Sequence, residues 1–419
     1  MTAERYIPYL IAVNLTERCN LNCEHCYMDA VQKATARDDE LSAGELAALL
    51  ADIGREAPGT IVVLTGGEPL MHPDVEEIVR AGKASGLRMV IGTNGVLLSE
   101  ARIRRLRDLG LEGVGISLDS VRAEQHDAFR GVSGSFARAC TAIRRCRAND
   151  LHAQVHFTVT NKNCGELAAA VDLARELGAA IINFFFLVCI GRGERRLDLS
   201  PDQYEQALRE IARLQEAVRG IMVQSRCTPH FKRILYEHDP NSPHTRATGY
   251  DGGGCPAATH YCRIAPNGEV TPCPYIELAA GNVRRQPFWE IWEEAVLFKS
   301  LRDSSLLQGR CGACEYKLLC GGCRARSLVQ TGELMDADPN CSYVPKGVEV
   351  IPIQIDRVGE EVEWTSEARD RLARIPVFLR ARIKKKLEER ASAEGIAVTP
   401  DLMQRHREER ERELGIKFN

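Results

Sequence analysis

Cys19-Asn20-Leu21-Asn22-Cys23-Glu24-His25-Cys26 is the stretch that decides how this chain is read. Its cysteines have the spacing C-x3-C-x2-C. Three thiolates this close can hold three irons of a [4Fe-4S] cube. The fourth iron then lacks a protein ligand and is open to a small molecule. Clusters that only store or pass electrons usually have four cysteine ligands. A missing fourth ligand therefore points to chemistry on the iron itself. Two plainer readings of the same residues are a zinc knuckle and reduced core thiols.

The surrounding chain places this stretch. Residues 1–215 alternate short β-rich runs with amphipathic helical ones. Strands are predicted at Tyr9–Leu15, Thr60–Leu64, Arg88–Thr93, Gly113–Leu118, Ala153–Thr160 and Ala180–Leu187. Helices are predicted at Ser42–Glu56, Pro73–Ser85, Glu100–Leu109, Ser135–Asn149 and Cys164–Leu177. Such alternation implies an α/β fold, with a parallel sheet and helices outside it. Six units make a partial barrel, and ligands sit at the carboxyl ends of its strands. The triad follows the first strand directly, so it lies at that mouth. Ser42 is a plausible N-cap, and Glu45 is placed for a capping box.

Length and composition set the bounds. A chain of 419 residues suggests about three domains. A net charge of −3 argues against bulk nucleic-acid binding. The longest apolar stretch, Ala179–Ile190, is too short to span a bilayer. The first residues show no basic-then-apolar pattern, which predicts a cytoplasmic protein. Sixteen cysteines would be many for such a protein, but a disulfide scaffold is unexpected in so long a chain without an export signal. Three cysteines lie at 19–26 and eight between Cys255 and Cys341, a clustering that reads as metal binding. Core packing is the expectation for Cys140, Cys146, Cys164 and Cys189. Cys227 is open between ligand, substrate-site residue and core thiol, and His230 is equally open. From 216 to 350 periodicity is weak, and that segment is expected to have little core of its own. Residues 346–359 read as a linker or edge strand. Residues 364–419 read as charged and helical, with 14 Lys and Arg against 10 Asp and Glu. The predicted domains are 1–215, 216–350 and 360–419.

Further motifs follow the strands. Gly66-Gly67-Glu68-Pro69 comes right after the second, where glycines let a ligand approach exposed backbone. Glu68 and backbone carbonyls there could accept hydrogen bonds from an ammonium group; the bland alternative is a turn. Together with the triad these residues resemble the radical S-adenosylmethionine (SAM) enzymes, in which this motif holds the amino group of SAM. The resemblance extends to Thr93-Asn94-Gly95, to Ser117 and Asp119 (the SAM carboxylate or ribose), to Arg130-Gly131 and to Gly191 near the adenine. Asp119 read alone is a helix cap.

Pro266-Asn267-Gly268 reads as the turn of a β-hairpin between Cys262 and Cys273. With Cys311, Cys314, Cys320, Cys323 and Cys341 the later cysteines resemble the SPASM extension, which holds one or two auxiliary Fe–S clusters. The resemblance implies Cys255, Cys262, Cys273 and Cys323 for one cluster. It implies Cys311, Cys314, Cys320 and Cys341 for the other. The gap between Cys320 and Cys323 is x2 where many members have x3, and structural zinc is the competing reading.

The family resemblance implies that reductive cleavage of SAM gives a 5′-deoxyadenosyl radical, which abstracts hydrogen from the substrate. The expected electron donor is a ferredoxin or flavodoxin. The tail from Trp364 resembles a helical domain of light-independent protochlorophyllide reductase. Cys227-Thr228-Pro229-His230, Gly254-Cys255-Pro256 and 311–326 resemble radical SAM proteins of heme and heme d1 synthesis. A tetrapyrrole-like small molecule is therefore the expected substrate. Arg369, Arg371, Arg374, Arg380, Arg382 and Lys384–Lys386 are candidates to meet its carboxylates, or simply form a solvated helix face. Two other classes compete: a peptide or protein maturase of the SPASM class, and a non-enzymatic Fe–S electron carrier. The expectation that no peptide-binding domain precedes the barrel disfavours the first. The three-ligand site disfavours the second.

Overall fold

The computed structural model describes residues 6–30, 39–241, 254–353, 362–375 and 377–414. Its organising element is a parallel sheet. Strands β1 (Leu10–Thr16), β2 (Ile61–Gly66), β3 (Arg88–Thr93), β4 (Leu111–Ser117), β5 (His152–Val159), β6 (Ile181–Phe186) and β7 (Met222–Arg226) lie side by side in chain order. β8 (Tyr261–Ile264) pairs in parallel with the other edge of β1. β9 (Glu269–Thr271) and β10 (Gly281–Asn282) extend that edge antiparallel. The ends of the sheet, β10 and β7, do not pair with each other, so it is open.

Period-two alternation gives the sheet two different faces. In β5, Ala153, Val155, Phe157 and Val159 are buried in the main core, while His152, Gln154, His156 and Thr158 line an interior cavity. The helices covering the apolar face are α1 (Ala43–Glu56), α2 (Val75–Ala84), α3 (Glu100–Asp108), α4 (Ala123–Arg130), α5 (Ser135–Ala148), α6 (Leu167–Leu177) and α7 (Pro201–Ala217). The capping box of α1 forms: the Glu45 N–H donates to Ser42 Oγ at 3.3 Å, and the Ser42 N–H to Glu45 Oε2 at 2.8 Å.

The sheet runs beyond the six predicted units. β7 escapes the pattern because Met-Val-Gln-Ser-Arg is short and buries only Val223 well. It precedes α8 (His230–His238). The β8–β9 hairpin turns as Pro266-Asn267-Gly268 predicts, with Gly268 at φ +87°. The segment that follows is less coreless than expected. Within α9 (Phe288–Glu294) and α10 (Val296–Arg302), Phe288, Trp292 and Phe298 are buried in the main core. Trp292 Nε1 donates to the Tyr6 carbonyl at 2.9 Å, and Trp289 Nε1 to that of Asp52 at 3.2 Å. Only from about 303 onward does apolar packing thin out, around the short α11 (Gly309–Ala313) and α12 (Arg324–Thr331).

The described part of 346–359 has no regular structure, and 354–359 lie outside the described residues. α13 (Ser366–Arg374), α14 (Val377–Glu394) and α15 (Pro400–Leu414) then form a module with its own small core. Trp364, Ala368, Leu387, Ala391, Val398 and Leu402 make that core, and Trp364 Nε1 donates to Glu388 Oε1 at 2.9 Å. The side chains of Arg382 and Lys385 are outside the described residues. Among the described residues no helix is long and apolar enough to cross a membrane.

Candidate metal and cofactor site

The triad sits in the loop after β1, at the carboxyl end of the strands. Three neighbouring segments grip this loop through its backbone. From the loop after β2, the Gly67 N–H donates to Thr16 O at 2.7 Å and the Glu68 N–H to Arg18 O at 2.8 Å. From α4, Phe129 O accepts the Glu24 N–H at 3.0 Å, and Arg130 O the Asn22 N–H at 3.2 Å. From the chain after β6, the Arg192 N–H donates to Cys26 O at 2.9 Å, and its Nε to Cys23 O at 3.0 Å. Two glycines make the approach possible. A Cβ on Gly67 would stand 2.1 Å from Arg18 O, and one on Gly191 (φ +56°) 2.4 Å from Cys26 O.

Each thiol of the triad accepts one donor. The Leu21 N–H reaches Cys19 Sγ at 3.5 Å, the Ala30 N–H reaches Cys26 Sγ at 3.3 Å, and Arg130 Nη1 reaches Cys23 Sγ at 3.6 Å. Burial, the first cause, pushes the Cys19 thiol up to about 12. Burial also raises Cys23, against the opposing pull of Arg130. Thiols so placed need a metal or a cation to ionise. Arg130 was not predicted as a site residue. It lies 2.5 Å from Asp119 Oδ2, and both side chains are almost wholly buried. His25 stacks flat on Phe129, with ring centroids 4.3 Å apart, and burial holds its imidazole neutral, at about 3.

A continuous cavity of about 2750 Å³ runs along the inner face of the sheet. Cys19, Cys23, Cys26, Gly66, Gly67, Thr93, Asn94 and Ser117 all line it. Glu68, Pro69, Asp119 and Gly191 stand behind its wall. Glu68 is fully buried, and burial raises its pKa against three hydrogen bonds. It accepts from Thr93 Oγ1 at 2.7 Å, the Asn94 N–H at 2.9 Å and the Leu70 N–H at 3.1 Å. Glu68 thus braces the ends of β2 and β3. The Asp119 carboxylate is likewise committed, to Arg130 and to the Thr158 N–H at 2.9 Å. Its pKa is lowered: burial opposes ionisation, and Arg130 foremost among the other groups more than offsets that.

The later cysteines fall into two groups. Cys311, Cys314, Cys320 and Cys341 surround one small pocket, together with Arg233, Asp338 and Tyr343. Each accepts one backbone N–H. Asp338 donates to Cys311 and Tyr316 to Cys314, both at 3.4 Å, Gly322 donates to Cys320, and Tyr343 to Cys341. Cys255, Cys273 and Cys323 share a second apolar cluster and line the large cavity. The Ala257 N–H reaches Cys255, and the Tyr275 N–H reaches Cys273. Donors aimed at sulfur from two residues on recur at Cys19, Cys255, Cys273, Cys314, Cys320 and Cys341. Such bonds stabilise thiolates and tune Fe–S sites. The core thiol Cys146 has no such donor; burial alone raises it. The donor sets therefore fit iron–sulfur clusters. Among the described residues no three Cys, His, Asp or Glu side chains converge on a single-ion site.

Cys262 does not join its predicted partners. In β8, Cys262 and Ile264 point into the main core, while Tyr261 and Arg263 point the other way. Cys262 is 0% exposed, with the Arg302 guanidinium as its charged neighbour. The thiol that stands beside Cys255, Cys273 and Cys323 is Cys227.

A buried charged pair connects the two groups. Asp338 Oδ2 accepts the Cys323 N–H at 2.7 Å and lies 3.2 Å from Arg326 Nη2 and from His230 Nε2. Arg326 and His230 draw the Asp338 carboxyl far below the ordinary range despite burial. The N–H of Asp338 meets Cys311, while Arg326 Nη2 reaches Cys227 O at 3.1 Å.

Family models match three stretches of the chain. The radical SAM superfamily matches residues 13–178, an iron–sulfur cluster-binding domain 255–323, and the protochlorophyllide reductase 57 kD subunit 364–407. The AdoMet-dependent heme synthase of Methanosarcina barkeri is 40% identical over 353 residues, covering 82% of this chain and 99% of that protein. The pre-heme d1 synthase of Dinoroseobacter shibae is 31% identical over 363 residues, covering 82% and 88%. The crystal structure of Streptococcus suis SuiB bound to S-adenosylmethionine shares the fold, with a TM-score of 0.66 at 14% identity over 81% of this chain and 78% of that one. An open parallel sheet, a triad of thiols at its mouth and a second set of cysteines beyond it thus have one common explanation: this chain is an enzyme of the radical SAM superfamily, with a SPASM-type iron–sulfur domain, that uses a [4Fe-4S] cluster and S-adenosylmethionine.

Proposed function

We propose that the enzyme removes hydrogen from, and then decarboxylates, a carboxyalkyl side chain of a tetrapyrrole in heme-type biosynthesis. The observation that carries this reading is a cavity shared by the triad, the glycine loop and the auxiliary thiols, in a chain 40% identical to an AdoMet-dependent heme synthase.

Cys19, Cys23 and Cys26 would hold the cube, and Gly66 and Gly67 would present carbonyls to the SAM ammonium. Thr93, Asn94 and Ser117 line the path of the rest of SAM. The cluster and SAM together supply a 5′-deoxyadenosyl radical, and every other task falls to this chain's residues. Across the cavity, His156 (β5), Asn183 (β6) and Arg226 (β7) form a polar wall. Arg226 Nε donates to Asn183 Oδ1 at 3.0 Å, and its Nη2 to Gln224. That holds the guanidinium for a substrate carboxylate. His156 is kept neutral, at about 4, by burial first and Arg226 next, so it offers a hydrogen bond and no charge.

Loss of a hydrogen atom from the carbon β to the carboxylate, followed by C–C cleavage, releases carbon dioxide, an alkene and one electron. Cysteines of the first auxiliary group line the same cavity, which gives that electron a near acceptor. A cytoplasmic ferredoxin or flavodoxin would supply the electron for SAM cleavage. The barrel proper would extend through Arg226, the auxiliary domain to about 350, and the helical module from about 362. Residues of the helical module, including Arg371, Arg374 and Arg380, line the same cavity, as do Gly59, Gly86, Gly110 and Gly220 near the strands' amino ends. These cations are candidates to meet carboxylates of the ring.

The test is anaerobic turnover with siroheme-derived rings. Carbon dioxide released one for one with 5′-deoxyadenosine supports the reading. Deoxyadenosine formed at a rate no ring alters, with no ring consumed, refutes the substrate class.

A further inference from the structure

We propose that Cys227 is the fourth thiolate of the first auxiliary cluster, in the place that the SPASM resemblance gives to Cys262. The inference rests on the cluster-binding reading above and concerns which residue completes the site.

Cys227 directly follows β7, outside the run of later cysteines. Its thiol lies among those of Cys255, Cys273 and Cys323 and lines the same cavity wall. The residue two positions on is Pro229, which has no N–H to offer, and the Tyr275 hydroxyl serves as the donor to sulfur instead. The backbone of Cys227 is held at φ +60°, the left-handed region that favours glycine. Its surroundings impose that conformation. The Cys227 carbonyl accepts from Arg326 Nη2 at 3.1 Å and from the Tyr204 hydroxyl at 3.4 Å, and both donors are 1% exposed. A cysteine kept where glycine fits more easily, and turned towards three other thiols, has a reason to be there that packing does not supply. Cys262 has the opposite setting: regular strand backbone, a side chain in the main core and no thiol neighbour.

The experiment compares Cys227→Ser and Cys262→Ser in the full-length chain after anaerobic reconstitution. Iron and acid-labile sulfide are counted, and the reduced clusters are examined by electron paramagnetic resonance with and without added cyanide. Wild-type iron well above four per chain establishes that auxiliary clusters assemble at all, and a wild type stopping near four would defeat the cluster reading itself. Given assembly, Cys227→Ser is expected either to lose about four irons per chain or to keep them with an auxiliary signal that cyanide now shifts. Cys262→Ser should match the wild type in both. A Cys227→Ser protein with wild-type iron and cyanide-insensitive signals would overturn the assignment, as would loss of the auxiliary signal in Cys262→Ser alone. The triad's signal and its response to SAM report whether either variant has misfolded.

Discussion

The triad loop and the auxiliary region hold cysteines in different ways. Around the triad the grip is backbone on backbone: the chain after β2, α4 and the turn at Gly191 each hydrogen-bond to the loop, and it has three thiols. In the auxiliary region the grip is a buried charge pair, Arg326–Asp338, set between two groups of four. A three-thiol site beside a cavity leaves a position for a co-substrate, whereas four-thiol sites are closed and suit electron transfer. Under the proposed function, that difference would separate breaking SAM from handling the electron that follows.

The sharpest way to break this comparison is to remove one thiol from each side. Cys26→Ala should lower deoxyadenosine formation by at least about 1000-fold, about 4 kcal/mol in activation free energy. Cys311→Ala should keep it within about tenfold while abolishing the decarboxylated product. Equal losses in both variants, measured by liquid chromatography, would erase the distinction. Next in size is Arg326→Met, which leaves the buried Asp338 carboxylate without its arginine, with His230 and backbone N–H groups as the remaining partners. Breaking such a pair costs about 3–5 kcal/mol. Thermal unfolding should shift accordingly, and iron should be lost from both auxiliary sites while the triad site still binds SAM.

A smaller effect comes from pH. His126 is a buried residue of α4, its Nδ1 accepts the Asp119 N–H at 3.1 Å, and burial holds it at about 4 against an ordinary 6.5. The unfolded chain therefore binds a proton that the folded chain refuses between those values. Stability from this group is complete above about pH 6.5 and falls steadily towards pH 4. His126→Gln should flatten that part of the denaturation profile; an unchanged slope would count against a neutral buried imidazole. The smallest effect should follow deletion of 360–419. Deoxyadenosine formation is expected to stay within about twofold, because α13–α15 form their own core. A loss beyond tenfold would show that the module reaches the reacting site.

Much of this was legible in the sequence. The strand–helix alternation placed β1 to β6 within a residue or two, because their apolar faces are continuous. The triad and Gly66–Pro69 together were enough to mark the superfamily. The SPASM resemblance groups Cys262 with the cluster thiols, whereas the fold packs its side chain in the main core, because a motif match ignores the face each cysteine occupies. Period-two alternation held the missing signal: Cys262 shares its face with Ile264, so it follows the core. The part of Arg130 was hidden because Asp119 and Cys23 meet it only once α4 has folded back over the triad loop. Glu68 shows the reverse, a residue read as a ligand from its motif that the fold uses to tie β2 to β3. The helix α7 carried Ser200, Pro201 and Gln203 at its start, a complete capping signal that strand-by-strand reading passes over.

The central claim is that the three-thiol site binds and splits SAM. It is tested most directly by mixing the anaerobically reconstituted full-length chain with SAM and dithionite and measuring 5′-deoxyadenosine by mass spectrometry. The account predicts deoxyadenosine formed together with methionine and abolished in Cys26→Ala. No deoxyadenosine from protein with its full complement of iron would contradict it.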